Sequence, residues 1–239
     1  MRHAHGRMCH QKTAPDGKAD TKKETIMVTA LRLALISVVV SLLAAVPPVY
    51  AEEGKHSISE VWTLANTETV PDAGSRLMRS DDEICMNINT RTLPEGAYTV
   101  WWFVFNSPEH CTSPVPVGGA RCGSDDALPN TPVNFSAVWA TGGIVGPDGV
   151  GYFSACLEEN TLPAPPQSQD VDGAGLADAQ GAEIHLVVRI HCAAEYGTPA
   201  LLGEQITRFG GGCTAETGGG TFGILGDCSC TNFQFAVHP

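Results

Sequence analysis

Residues 97–105, AYTVWWFVF, run for nine positions without a charge and are rich in β-branched and aromatic types. Leu93-Pro94-Glu95-Gly96 precedes them, a turn signal in which proline presets one backbone angle and glycine tolerates positive φ. Asn106-Ser107-Pro108 ends the run, since proline has no amide to give a β-ladder. A run of this length between such signals reads as a β-strand buried on both faces. Side chains alternate along a strand, so Tyr98, Val100, Trp102 and Val104 point one way. Ala97, Thr99, Trp101, Phe103 and Phe105 point the other. Only a strand inside a packed sheet hides both sets.

Other segments follow the same period. Ile84, Met86 and Ile88 alternate with Cys85, Asn87 and Asn89, which predicts a strand over 83–90. Residues 61–64, 133–141, 150–157 and 233–237 read as further strands. The turn signal Gly146-Pro147-Asp148-Gly149 predicts a hairpin between the second and third of these. In 183–192, Ile184, Leu186, Val188 and Ile190 face inward, while Glu183, His185, Val187, Arg189 and His191 face out or toward a second layer. Residues 52–60 read as a loose lead-in, and 201–207 as a helical turn. No segment of 12 or more residues beyond the leader shows helical spacing. The pattern predicts an all-β fold, an antiparallel β-sandwich with long disulfide-pinned loops. A closed β-barrel is the alternative that pattern leaves open. The long loops are 106–132, 158–181 and 208–231; the middle one, Pro-rich and then Asp/Gly-rich, reads as mobile.

Residues 33–46 are apolar apart from Ser37 and Ser41, Arg32 precedes them, and Val49-Tyr50-Ala51 places small residues at a cleavage site. This is the pattern of a secretory signal peptide over 27–51, cut after Ala51. The apolar run is short of the roughly 20 residues that span a bilayer, so no stable membrane anchor is expected after cleavage. Residues 1–26 read as a non-native or extended leader, which places the single domain at 52–239. That domain holds 7 Lys+Arg and 23 Asp+Glu, a formal charge of 7 − 23 = −16. Such a surface repels nucleic acid. Its eight cysteines, Cys85, Cys111, Cys122, Cys156, Cys192, Cys213, Cys228 and Cys230, read as four disulfides in an oxidising compartment, secreted or periplasmic. Cys111 and Cys122 share a loop and are the natural local pair. Cys213 is a plausible partner for Cys228 or Cys230. A zinc site at Cys228-Ser229-Cys230 is the rival reading, but it lacks paired ligands at the usual spacing.

Three constellations suggest chemistry. Asp170, Asp172 and Asp178, around Gly173 and Gly175, resemble a calcium loop; calcium is the one cofactor the sequence suggests. Ala174 and Gly181 stand where two further ligands belong, so a solvated acidic loop competes with that reading. Glu109, His110 and His185 form a candidate polar site, because the parity of antiparallel strands places loops 106–132 and 158–181 at one pole, above His185. Asp125 and Asp126 would join that acidic pole. His185 and His191 lie about 20 Å apart along one strand and share no metal. Tyr98, Trp101 and Trp102 suggest a sugar platform, although the adjacent tryptophans face opposite ways. No catalytic signature is present: no G-x-S-x-G, H-E-x-x-H, P-loop or dinucleotide fingerprint.

GAYTVWWFVFNSPEHC, SAVWATGGIVGPDGVGYFSACL, GAEIHLVVRIHC and a terminal QFAVH together resemble an uncharacterised group of secreted bacterial disulfide-containing β-proteins with no assigned activity. The resemblance implies secretion and a common fold. The functional expectation is a secreted binding or interaction module for an unidentified ligand or protein, with no catalytic site evident. The alternatives are an extracellular enzyme or metal-binding protein, with a site made by loops 106–132 and 158–181, and a structural envelope component.

Overall fold

In the computed structural model the described residues are 54–128, 131–165, 167–211 and 230–239, within a compact unit spanning Glu52–Pro239. Residues 1–53, Cys213 and Cys228 lie outside them. Nine strands form two antiparallel sheets: β1 Lys55–Ser59, β2 Trp62–Thr63, β3 Gly74–Arg79, β4 Glu83–Thr90, β5 Gly96–Phe105, β6 Phe135–Val145, β7 Gly151–Glu158, β8 Glu183–His191 and β9 Cys230–His238. One sheet has the order β1-β3-β4-β7, the other β2-β9-β8-β5-β6. The fold is an open β-sandwich. One helix, α1 (Pro199–Thr207), follows β8.

The inward faces meet in one core. The four-stranded sheet supplies Leu77, Ile84, Met86, Ile88, Phe153 and Leu157; the five-stranded sheet supplies Tyr98, Val100, Trp102, Val104, Ile184, Leu186 and Val188 among others. Strand β5 sits between β6 and β8, and its other face is also covered. Trp101 joins Trp62, Val187, Phe235 and Val237 in a second apolar cluster, on which Val115, Val117 and Ala120 of the 106–128 loop pack. Both tryptophans are fully buried, on opposite sides of one sheet. They and Tyr98 therefore form no sugar platform, because each is consumed by packing.

Three expectations change. Residues 52–60 are no lead-in: β1 occupies most of them, and β3 was not foreseen. Their inward positions carry Ser57, Ser59, Ser75 and Arg79, with Leu77 the one large apolar residue, so no apolar alternation marks them. Those polar groups are answered from the opposite sheet: Ser57 and Ser75 hydrogen-bond the two ring nitrogens of His238 at 2.8 and 2.9 Å. Arg79 donates to the carbonyls of Ala179 and Ala182. The turn at Gly146-Pro147-Asp148-Gly149 forms, with Gly149 N donating to Gly146 O at 3.1 Å, but β6 and β7 belong to different sheets. The turn is an arch across the sandwich, not a hairpin. Finally, loop 158–181 packs: Leu176 and Ala179 are buried in the core, and Asp172 pairs with Ala137 through backbone bonds.

The parity expectation is met. Phe105 at the end of β5 registers with Phe135 at the start of β6 and with Glu183 at the start of β8. Asn106 then ties the two long loops together, donating to Gly175 O and accepting from Ala177 N. The opposite pole holds Cys192, whose carbonyl accepts from Ala97 N.

Candidate functional site

The outer face of the five-stranded sheet carries two covers, and a cleft of about 560 Å³ lies in this region. Phe103, Phe105 and Phe135 line it with Val187 and Phe235, all on the sheet. One cover is the 106–128 loop, which contributes Val115, Gly123, Ser124 and Ala127. The other is the segment after α1, which contributes Phe209. His185, Asp170, Asp172 and Asn232 are the charged and amide groups along it.

The loop cover is built by two buried carboxylates and a disulfide. Cys111 and Cys122 are bonded. Asp126 accepts from the backbone amides of Thr112, Ser113 and Gly123, which closes the loop around that bridge. Burial raises the Asp126 pKa, but those bonds outweigh it and hold the carboxyl below its ordinary value. Gly118 has φ +64° and lies over the Trp62 ring, where a Cβ would sit 2.9 Å from the nearest ring carbon. Only glycine suits that combination.

Glu183 fastens this cover to β8. Its side chain is fully buried and accepts from Arg121 N at 2.8 Å, from Cys122 N at 3.0 Å and from His185 Nε2 at 2.8 Å. Arg121 stands 3.5 Å away as a partly exposed counter-charge. Burial raises the Glu183 pKa, but the hydrogen bonds from His185 and the two amides outweigh it and keep it below the ordinary value. An ionised Glu183 only accepts, so it assigns the proton of neutral His185 to Nε2. Nδ1 is then a lone-pair acceptor. The His185 ring packs on Phe105, centroids 4.8 Å apart, and among the described residues nothing hydrogen-bonds Nδ1. His185 is 5% exposed and lines the cleft.

Phe209 is locked from three sides. Asp170 accepts from Phe209 N at 2.8 Å and from Arg208 Nε at 2.7 Å. Arg189 donates from Nε to Phe209 O and stacks its guanidinium 4.0 Å from the Phe209 ring centroid. Trp101 meets the same ring edge-on at 5.0 Å. Below it, Trp101 Nε1 donates to Thr99 Oγ1, the Thr99 hydroxyl meets His191 Nε2 at 2.7 Å, and His191 Nδ1 meets Gly211 O at 2.9 Å. This directed chain needs a neutral His191. Burial first and Arg189 second push its pKa down to about 4.

The expected sites are thereby sorted. Asp170 is committed to Arg208 and Phe209. Asp178 accepts from the amides of Gln180 and Gly181, and Asp172 is exposed at the cleft. The structure does not gather these three into a calcium cage. Among the described residues, the one group of three His, Cys, Asp or Glu ligand atoms within 4.8 Å of each other is Glu83, Cys85 and Cys156, and its cysteines are bonded together. Glu109 and His110 are exposed and contact each other at 3.7 Å; no contact joins them to His185. Asp126 is a loop cap rather than part of an acidic pole, and Asp125 is exposed. Cys192 and Cys230 each take part in a disulfide, so Cys230 is not a zinc ligand. Glu183, the partner that gives His185 its role, was legible only as its i+2 neighbour on one strand face. Phe209 and Phe235 carried no signal of their own. Among the described residues no helix is long and apolar enough to cross a membrane. No protein-family model, curated protein or solved structure matches the chain.

Proposed function

We propose that this chain is a secreted binding module that takes a small, flat, largely apolar molecule carrying one hydrogen-bond donor. The observation that carries this reading is a buried histidine lining an aromatic cleft, with one ring nitrogen committed to a buried carboxylate and the other without a hydrogen bond among the described residues. Clefts of roughly 300–1,000 Å³ with apolar walls and few polar groups are the usual form of small-molecule sites. The disulfides and the leader support a place outside the cytoplasm. The walls are braced before any ligand arrives, which lowers the ordering cost of binding.

2-Naphthol and naphthalene, compared by calorimetry, test this reading. 2-Naphthol should bind with a dissociation constant of about 10–100 µM, corresponding to roughly 5.5–7 kcal/mol. Naphthalene should bind about tenfold more weakly, the worth of one buried hydrogen bond. His185→Leu should remove the difference. Equal affinity of the two compounds in the native protein would refute the proposed role of Nδ1.

A second reading rests on the same dyad. A histidine oriented by a carboxylate is also the arrangement of a general base. Turnover of p-nitrophenyl acetate that is abolished by His185→Leu would favour this enzymatic reading over simple binding.

A further inference from the structure

The outer face of the four-stranded sheet differs from the cleft in every respect. It is open and polar: Arg76 and Arg91 lie at the end of the face that carries Asn87, Asn89 and Tyr152, and the Glu83–Glu158 pair lies at its other end. Cross-strand register builds two rows on this face. Ile58 pairs with Arg76, Arg76 with Asn87 and Asn87 with Ser154. Two residues along, Gly74 pairs with Asn89 and Asn89 with Tyr152. Four strands at about 4.8 Å make the first row roughly 14 Å long. A depression of about 450 Å³ lies across both rows. Gly74 helps to make it, since a Cβ there would find its nearest neighbour, Ser59 O, 3.8 Å away.

Of the described cations, Arg76 and Arg91 stand beside the depression, and Lys55 is exposed at the start of β1. Arg79 and Arg189 are buried, Arg208 is paired with Asp170, and Arg121 stands by Glu183. Arg76 is exposed, with no hydrogen bond or ion pair among the described residues. Arg91 sits 5.5 Å from the Tyr152 ring centroid and donates to the Tyr152 hydroxyl at 3.4 Å. It also donates to Asn89 Oδ1, which leaves the Asn89 amide nitrogen to give. Asn87 is exposed and uncommitted among the described residues. Tyr152 is 70% exposed on the edge strand β7.

We infer that this face binds an acidic polysaccharide. A ring braced by Arg91 offers an apolar surface to the C–H face of a pyranose. Asn87 and Asn89 supply paired amides for hydroxyls, and amides donate and accept together as hydroxyls do. Arg76 and Arg91 supply planar forks for carboxylates. An acidic protein segment would use the arginines but leaves the tyrosine ring and the asparagines without a role. The site is separate from the aromatic cleft and does not depend on the reading of that cleft.

The test uses trigalacturonate, a neutral cellotriose and a poly-glutamate peptide, with binding followed by NMR titration at low salt. Trigalacturonate should bind with a dissociation constant below 1 mM and shift the Tyr152, Asn87 and Asn89 signals. Tyr152→Ala and Gly74→Leu should each weaken it about tenfold, the first by removing the ring and the second by filling the depression. Arg76→Gln should weaken it about fivefold. Cellotriose should bind at least tenfold more weakly than the uronate. Gly74→Leu removes no charge and no hydrogen bond, so it reports the site even if Tyr152→Ala disturbs the sheet. Absence of uronate binding, binding unaffected by these variants, equal binding of cellotriose, or equal binding of poly-glutamate would each overturn the inference.

Discussion

His238 shows how a single polar residue organises this sandwich. It projects from β9 into the inter-sheet space, between Ser57 of β1 and Ser75 of β3. Burial first, then the charge of Arg79, push its pKa from 6.5 down to about 4. The folded state therefore favours neutral His238. Its stabilising contribution is complete above about pH 6.5 and disappears as pH falls toward 4. His191 behaves alike and for the same first cause. Each shift corresponds to roughly 3–4 kcal/mol at most, at 1.4 kcal/mol per pKa unit. Urea unfolding at pH 7, 5.5 and 4 should show a steep fall in stability. His238→Gln should be less stable at pH 7 and lose less between 7 and 4. An unchanged pH slope in that variant would remove His238 from the account. Glu183→Gln should cost about 2–3 kcal/mol, because three donors then face a weaker acceptor. Hydrogen exchange at the Arg121 and Cys122 amides should rise with it; protection as in the native protein would contradict the fastening role of Glu183.

Elements were legible where burial is apolar and illegible where it is polar. Strands β4, β5 and β8 were marked by uninterrupted or alternating apolar residues, and they form as expected. Strands β1 and β3 present serines and an arginine to the interior, and their partners, His238 and the Ala179 and Ala182 carbonyls, lie more than 95 residues away. Nothing local in the sequence records such partners. Helix α1 forms where residues 201–207 read as a helical turn, but its seat on the sheet was not legible. It lies against β6, where the Ile206 carbonyl accepts from Trp139 Nε1 at 3.1 Å. Gly142 makes room for that approach, since a Cβ there would stand 1.9 Å from the same oxygen. Gly142→Ala should lift α1 and unseat Phe209. Faster exchange over residues 199–209, with 2-naphthol binding weakened at least fivefold, is the expected outcome; an undisturbed helix would contradict the docking described. The loop cover should respond separately. Cys111→Ser with Cys122→Ser removes a short loop closure worth about 3 kcal/mol. Thermal unfolding should shift down accordingly, and an unchanged midpoint would show that Asp126 and Glu183 hold the loop unaided.

At the scale of the whole molecule, the sandwich presents two unlike outer faces. One is buried under a disulfide-closed loop and a helix, and holds an aromatic cleft lined by a histidine with one ring nitrogen lacking a hydrogen bond among the described residues. The other is bare, and carries an exposed tyrosine, two asparagines and two arginines. The sequence placed the long loops at one pole correctly because strand parity depends only on counting reversals. It misplaced the chemistry at that pole because Asp126, Asp170 and Asp178 cap backbone amides, a use that composition does not reveal. The central claim is that His185 offers Nδ1 to a ligand while Glu183 holds Nε2. Imidazole nitrogen NMR of ¹⁵N-histidine-labelled protein at pH 7, with and without 2-naphthol, addresses it most directly. The prediction is a protonated Nε2 and an unprotonated Nδ1 in the free protein, with the Nδ1 resonance moving on saturation and Nε2 holding still. A proton on Nδ1 in the free state, or an unmoved Nδ1 at full occupancy, would contradict it.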